Sequence, residues 1–400
     1  MNVVIIGNGL AGTMVAKTLR ELDSAVEIHV FAEEKYPYYP RPNLIDYLAG
    51  KLPYERIFAF SEEWHVRQKI NIHLGDPVRR ILPGPQEIEL DGGRREKYDA
   101  LLIANGASSF IPPIKGADKR GVFALRTLDD ALAILEYAKG HGQVVIIGGG
   151  LLGLEIARAM KSRGVDVEVV EFFDRLLPRQ LDIQGAALLK TQVENLGIKV
   201  RLGVTTEEIL DQGEVSGIRL KGGAEFSANM AIIAAGVRPN LGLPQEAGLV
   251  TDRGLLVDDW LRTSQPKIFA AGDSIRHQGK IYGIIPASFD QARAAAYNIL
   301  GQEKKYEGTI PSNTLKVAGL YVTSVGLVNP EGREFQEVRI YRKEEGIYKK
   351  IVLQDGALVG AIWMGTKKGV NEISRAVNSK LKVNAWINSL LEDTFDFSVL

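Results

Sequence analysis

The chain has 400 residues, 45% of them apolar and 24% charged, an ordinary globular balance with room for two or three cores. Lys plus Arg and Asp plus Glu both number 49, so no net field points to nucleic acid or an anionic membrane. The absence of cysteine excludes a disulfide framework, a thiolate metal cluster, an iron–sulfur centre and a catalytic thiol.

In chain order, Met1 and Asn2 run straight into the apolar Val3–Ile6, so no signal peptide is expected ahead of the fold. The expected location is the cytoplasm. Val3–Ile6 reads as a buried parallel strand, followed by Gly7-Asn8-Gly9-Leu10-Ala11-Gly12 and a helical pattern through Leu22. A second strand, Val26–Phe31, leads to Glu33-Glu34. In such a unit the first glycine permits the tight turn, the second admits a pyrophosphate and the third lets helix pack on strand. The helix N-terminus offers unpaired amides to phosphate, and the strand-end acid accepts a ribose diol.

Tyr98–Ile103 is a further buried strand running into Ala104-Asn105-Gly106, and Ile111-Pro112-Pro113 breaks the chain after it. The strand–turn–helix unit then recurs. Val144–Ile147 is the strand, Gly148-Gly149-Gly150-Leu151-Leu152-Gly153 the turn, Leu154–Arg163 the helix, and Val167–Val170 a strand ending at Glu171. The apolar stretch around this turn, Val144 to Leu154, is far too short to span a bilayer. One such turn is weak evidence, whereas two, each between strand and helix and each with a following acid, specify two dinucleotide sites. One cofactor is then retained and the other exchanged. Five scattered histidines show no metal-ligand spacing, so no metal is expected and the chemistry falls to an organic cofactor.

Lys267–Ala271 is a strand ending in Gly272-Asp273, at the edge where ligands of α/β sheets bind. From about residue 309 the texture changes. Val338 and Ile340 alternate with Arg339 and Tyr341, and Ile347–Leu353 and Ala357–Trp363 follow across Glu345-Gly346 and Asp355-Gly356 turns, an antiparallel meander. Val370, Ile373 and Val377 form a helical stripe behind it.

This order of motifs resembles, over nearly the whole chain, the class I pyridine nucleotide-disulfide oxidoreductases, flavoproteins related to glutathione reductase. Within them it is most similar to the NAD(P)H:rubredoxin oxidoreductases and the flavin portion of assimilatory nitrite reductases. The resemblance implies an α/β fold with two Rossmann-like domains and a small α+β C-terminal domain. The NAD(P)H domain, 113–240, is inserted in an FAD domain made of 1–112 and 241–308, and 309–400 follow. It places FAD against Gly7, Gly9, Leu10, Ala11, Gly12, Glu33 or Glu34, Arg41, Val78, Ala104, Asn105, Gly106, Gly272 and Asp273. The helix beginning near Ala287 aims its N-terminus at the flavin ring. The nicotinamide nucleotide falls to Gly148, Gly150, Leu151, Leu152, Gly153, Glu171 and Gly236.

Three departures from the family pattern stand out. The redox cysteines are missing, and the centre of the Ala-Thr-Gly motif is Asn105. The lysine that often follows the Arg-Pro motif is replaced by Asp46, while its usual partner remains as Glu155. Glu155 is read either as a catalytic, flavin-proximal residue or as a first-turn acid favoured by the helix dipole.

Glu171 repels a 2′-phosphate, which favours NADH over NADPH, although Arg175 and Arg179 lie close by to offset it or simply to face solvent. The expected activity is hydride transfer from NADH to FAD, then electron delivery to a redox protein such as rubredoxin. A cysteine-free NADH oxidase or diaphorase, and a redox-responsive binding module like apoptosis-inducing factor, are the alternatives. Lys349-Lys350 and Lys367-Lys368 are either docking charges for an acidic partner or solvated turns, and Lys316 either approaches the flavin or is a surface strand residue. The Tyr36–Tyr39 cluster either shields the flavin or packs an ordered loop.

Overall fold

Runs of consecutive aliphatic residues, such as Val3–Ile6 and Val144–Ile147, suit strands covered on both faces, and each of these runs becomes the middle of a parallel sheet. The computed structural model describes residues 1–317, 320–387 and 389–400, without the side chains of Lys316 and Val317. The chain divides into two units. One holds Met1–Leu44, Leu52–Ser108 and Val237–Thr309, and the other Ile45–Lys51, Ser109–Gly236 and Ile310–Leu400.

In the first unit β1 (Asn2–Ile6) lies between β2 (Glu27–Ala32) and strand Ala100–Ile103, with Ile70–Leu74 and Ile268–Ala270 at the edges. All neighbours run parallel, Val3 facing Ile28 on one side and Ala100 on the other. Strand order therefore reverses beside β1, which makes its C-terminal end a topological switch point, the usual ligand position in such sheets. Helix α1 (Leu10–Leu22) leaves from that end and packs against helix Ile285–Ile299.

The second unit repeats this plan. Strand β3 (Gln143–Ile147) lies between β4 (Asp166–Val170) and Met230–Ile233, with Lys199–Arg201 and Val122–Ala124 outside them. Helix α2 (Leu151–Ser162) starts at the C-terminal end of β3. The same unit carries a five-stranded antiparallel sheet: β5 (Ser312–Val317), β6 (Leu320–Gly326), β7 (Phe335–Arg342), β8 (Ile347–Gln354) and β9 (Ala357–Met364). Its order is β5-β6-β9-β8-β7, and α3 (Val370–Asn378) covers β6 and β9 with Ile373, Ala376 and Val377 buried. The expected fold class, two parallel nucleotide-binding-type sheets with a small α+β tail, is what the structure contains.

One expectation about the tail fails. Lys367 and Lys368 are exposed, but Lys349 and Lys350 lie inside β8 and are 1% and 2% accessible. Successive strand residues point to opposite faces, and here both faces are covered. Lys349 Nζ donates to Asp393 at 2.6 Å and to the Leu391 carbonyl at 2.9 Å, and sits 4.9 Å from the Trp363 ring. Lys350 Nζ meets Glu337 at 2.8 Å and Asp182 at 3.3 Å. Buried ammonium groups require such partners, so these lysines hold the interior together and present no docking charge. The Lys316 side chain lies outside the described residues.

The Lys349 hydrogen bond, with Arg342 assisting, holds the Asp393 carboxyl below its usual range. A depressed folded pKa stabilises the fold above the ordinary carboxylate value near 4, and that contribution is lost as pH falls through the folded value. Lys349→Met should lower stability at pH 7 by about 2 kcal/mol and cost less at pH 3, as read by urea unfolding at both pH values.

Candidate functional site

The two glycine turns are built alike. Gly7 N–H donates to the Phe31 carbonyl at 2.8 Å, and Gly148 N–H donates to Val170 at the same distance. Gly7 has φ +106° and Gly148 φ +124°, a region that residues with a Cβ rarely enter. A Cβ on either would overlap the carbonyl oxygen of the neighbouring strand end, Ala104 or Ala234, and one on Gly12 or Gly153 would overlap the Gly7 or Gly148 carbonyl. Sterics of the chain itself thus account for the first and third glycines.

The middle glycines differ. Gly9 and Gly150 have ordinary φ of −79° and −78°, and a Cβ on either would meet no atom of the described residues within 4 Å. Each is the N-cap of its helix, and neither helix has a side-chain cap there, so first-turn amides are left without such a partner. The fold of the described residues does not need glycine at these two positions, which leaves the space over each turn open.

Around the first turn, Asn105 Nδ2 donates to the Asn240 carbonyl at 2.9 Å and Asn240 Nδ2 returns a bond to the Asn105 carbonyl at 2.8 Å. This clasp holds the Ala104-Asn105-Gly106 turn. Gly272 N–H is held by the buried Gln291 at 2.8 Å, which fixes the Gly272-Asp273 corner over Ala11. Among the described residues Asn8 Nδ2 and Asn105 Oδ1 are buried without a hydrogen-bond partner, a rare state that a polar ligand would relieve. Glu33 is exposed just beyond β2, whereas Glu34 accepts from Arg41 at 2.5 Å and from the Tyr39 hydroxyl. Arg41 also lies 4.9 Å from the Tyr39 ring, and Tyr38 and Tyr39 are buried, so loop packing accounts for these tyrosines. Val78 is buried in strand Val78–Leu82 of a small antiparallel sheet.

At the second turn the acid is occupied. Glu171 is buried, with one oxygen accepting the Gly149 N–H at 2.5 Å and the other the Phe173 N–H at 2.8 Å. Leu151 and Leu152 open α2 beside it, and Gly236, with φ +104°, accepts from Phe110 N–H at 2.8 Å. Arg175 is engaged with Asp174 at 2.9 Å. Glu155 is the fifth residue of α2, past the first turn, so a favourable dipole contact does not explain it. Burial pushes its carboxyl up; Arg158 opposes this and Asp46 adds to it. The place of the family lysine thus holds a like charge.

Asn240 and Gln291 are the positioning residues that sequence reasoning missed. Their only signal was Asn240 standing next to Pro239 and Gln291 on the inner face of a helix. Among the described residues no group of three or more His, Asp or Glu side chains could hold a metal ion, and no helix is long and apolar enough to cross a membrane.

Residues 1–296 match the pyridine nucleotide-disulphide oxidoreductase family and residues 311–381 the rubredoxin NAD+ reductase C-terminal domain. The chain belongs to the pyridine nucleotide-disulphide oxidoreductase family, oxidoreductases that bind a flavin and NAD(P)H. It is 34% identical over 384 residues to a nitrite reductase (NAD(P)H) of Bacillus subtilis, covering 96% of this chain and 48% of that protein. It is 30% identical over 391 residues to an NADH-rubredoxin oxidoreductase of Clostridium acetobutylicum, covering 97% and 99%. The ferredoxin reductase for the CYP199A2 system of Rhodopseudomonas palustris superposes with a TM-score of 0.90 at 26% identity, covering 100% and 99%. The chain spans about half or less of the length of several curated relatives it matches.

The residues present fit two dinucleotides: clearance over Gly9 and Gly150, uncapped helix starts and unpaired buried amide atoms. Gly7→Ala and Gly12→Ala should each cost more than about 2 kcal/mol of stability in the cofactor-stripped chain, because backbone must move. Gly9→Ala and Gly150→Ala should cost no more than about 1 kcal/mol, the cost of a poorer N-cap. Denaturant midpoints of the four variants check this ordering.

Proposed function

We propose that this chain is an FAD-dependent NADH oxidoreductase that delivers electrons to a small iron protein of the rubredoxin kind. The observation that carries the reading is the clearance over Gly9 and Gly150 on two turns of the same build. FAD is assigned to the first turn, where Gly9, Leu10, Ala11 and the unpaired Asn8 amide receive the pyrophosphate. Glu33 receives the adenosine ribose, because Glu34 is already taken up by Arg41 and Tyr39. Asp273, Gly272 and the Ala104–Gly106 turn receive the flavin half.

NADH is assigned to the second turn, with Gly150 and the first amides of α2 at its pyrophosphate. Among the described residues the Glu171 carboxylate accepts only backbone N–H groups and, unlike Glu34, has no cation paired to it, so it keeps its charge and lone pairs for the ribose and disfavours the 2′-phosphate of NADPH by repulsion. Arg175 does not cancel this, since it is paired with Asp174. A bound flavin supplies the chemistry, taking two electrons as hydride and releasing them one at a time, which suits a one-electron acceptor. The chain supplies the holding: it needs no nucleophile and, lacking cysteine, has no disulfide relay. The likeness to an NADH-rubredoxin oxidoreductase over 99% of that protein supports rubredoxin as the acceptor class.

The test is anaerobic stopped-flow absorbance with NADH, followed by oxidised rubredoxin. Fast flavin bleaching and rapid reoxidation are expected, and Gly150→Ala should keep its flavin while losing the bleaching. Bleaching without reoxidation by rubredoxin would remove that acceptor, and no bleaching in the parent protein would remove NADH.

A further inference from the structure

Residues 171–182 run from β4 to the helix Ile183–Asn195, and both ends of this segment are fixed. At the near end, Glu171 accepts the Gly149 N–H at 2.5 Å, and Leu177 N–H donates back to the Gly149 carbonyl at 3.1 Å. Leu176, Leu177 and Leu181 are fully buried beneath it, and Leu177 holds φ +50°, which is costly for a branched side chain without tertiary support. Phe172 and Phe173, directly after Glu171, are two exposed large aromatics, and Phe173 N–H donates to Glu171 at 2.8 Å.

The far end is held by the C-terminal sheet. One Asp182 oxygen caps the helix by accepting Gly185 N–H at 2.9 Å. The other accepts the Tyr348 hydroxyl at 2.5 Å and faces Lys350 Nζ at 3.3 Å. Asn329 Nδ2 donates to the Leu181 carbonyl at 3.1 Å. A Cβ on Gly185 would lie 3.2 Å from the Tyr348 ring and 3.3 Å from Met364 Sδ, so sheet and helix meet as closely as glycine allows. Tyr348 and Lys350 are both buried, and pulling the segment away would leave an ammonium group and a phenol hydroxyl short of partners.

We propose that Tyr348 and Lys350 are positioning residues for the NAD(P)H site, acting through Asp182 to hold residues 171–182 so that Glu171 meets the adenosine ribose. This rests on the assignment of the nucleotide to the second turn. The C-terminal sheet thereby contributes to nucleotide affinity without a residue at the nucleotide itself. Its effect falls on the adenosine half alone, because that is the half the segment serves.

The experiment compares NADH with reduced nicotinamide mononucleotide, which lacks the adenosine half, as reductants of the intact holoprotein. Saturation of the flavin-reduction rate gives Kd and the limiting rate for each. In Tyr348→Phe, which keeps the ring and its packing, Kd for NADH should rise about three- to ten-fold. Its limiting rate and the mononucleotide Kd should stay unchanged, with Lys350→Met shifting in the same direction. An unchanged NADH Kd in folded Tyr348→Phe, or equal weakening of both reductants, overturns the inference and leaves the nucleotide assignment standing. That assignment falls only if the parent protein fails to saturate with NADH.

Discussion

A helix that starts against the end of a parallel strand, with its first amides turned outward, leaves almost no room in the turn between them. That constraint is met twice here by glycines whose Cβ would strike backbone: Gly7 and Gly12, then Gly148 and Gly153. Everything else in each site is arranged around the resulting platform. The strand order reverses beside each, Glu171 reaches the second turn at Gly149 N–H, and the Asn105–Asn240 clasp and Gln291 fix the turns that neighbour the first. Because Gly9 and Gly150 are free of any steric demand from the chain, they separate what folding requires from what binding requires.

Those turns were legible in the sequence because their sterics are local, written in glycine spacing between two predictable elements. The C-terminal meander was legible for a similar reason: turn residues at Glu345-Gly346 and Asp355-Gly356 punctuate alternating strands. What was not legible depends on covering layers and distant partners. Lys349 and Lys350 look like a solvated pair until helix, tail and facing carboxylates are seen to close over β8. The choice between Glu33 and Glu34 likewise turned on Arg41 and Tyr39, which reach back from the following loop.

The departures from the family pattern have a common physical flavour. Without cysteine, the chain has no thiol or disulfide relay of its own. With Asp46 in place of the lysine, Glu155 loses a cation and gains a like charge, which helps to raise its carboxyl. Through Asp182, Tyr348 and Lys350 tie the segment 171–182 to a sheet remote in sequence.

The central claim is that two similar turns hold two different dinucleotides, one kept and one exchanged. Native mass spectrometry of the freshly purified protein, before and after adding NAD+, tests it most directly. The account predicts one FAD retained on each chain and one NAD+ gained and removable by buffer exchange. A chain that retains no flavin, or retains both dinucleotides through exchange, contradicts it.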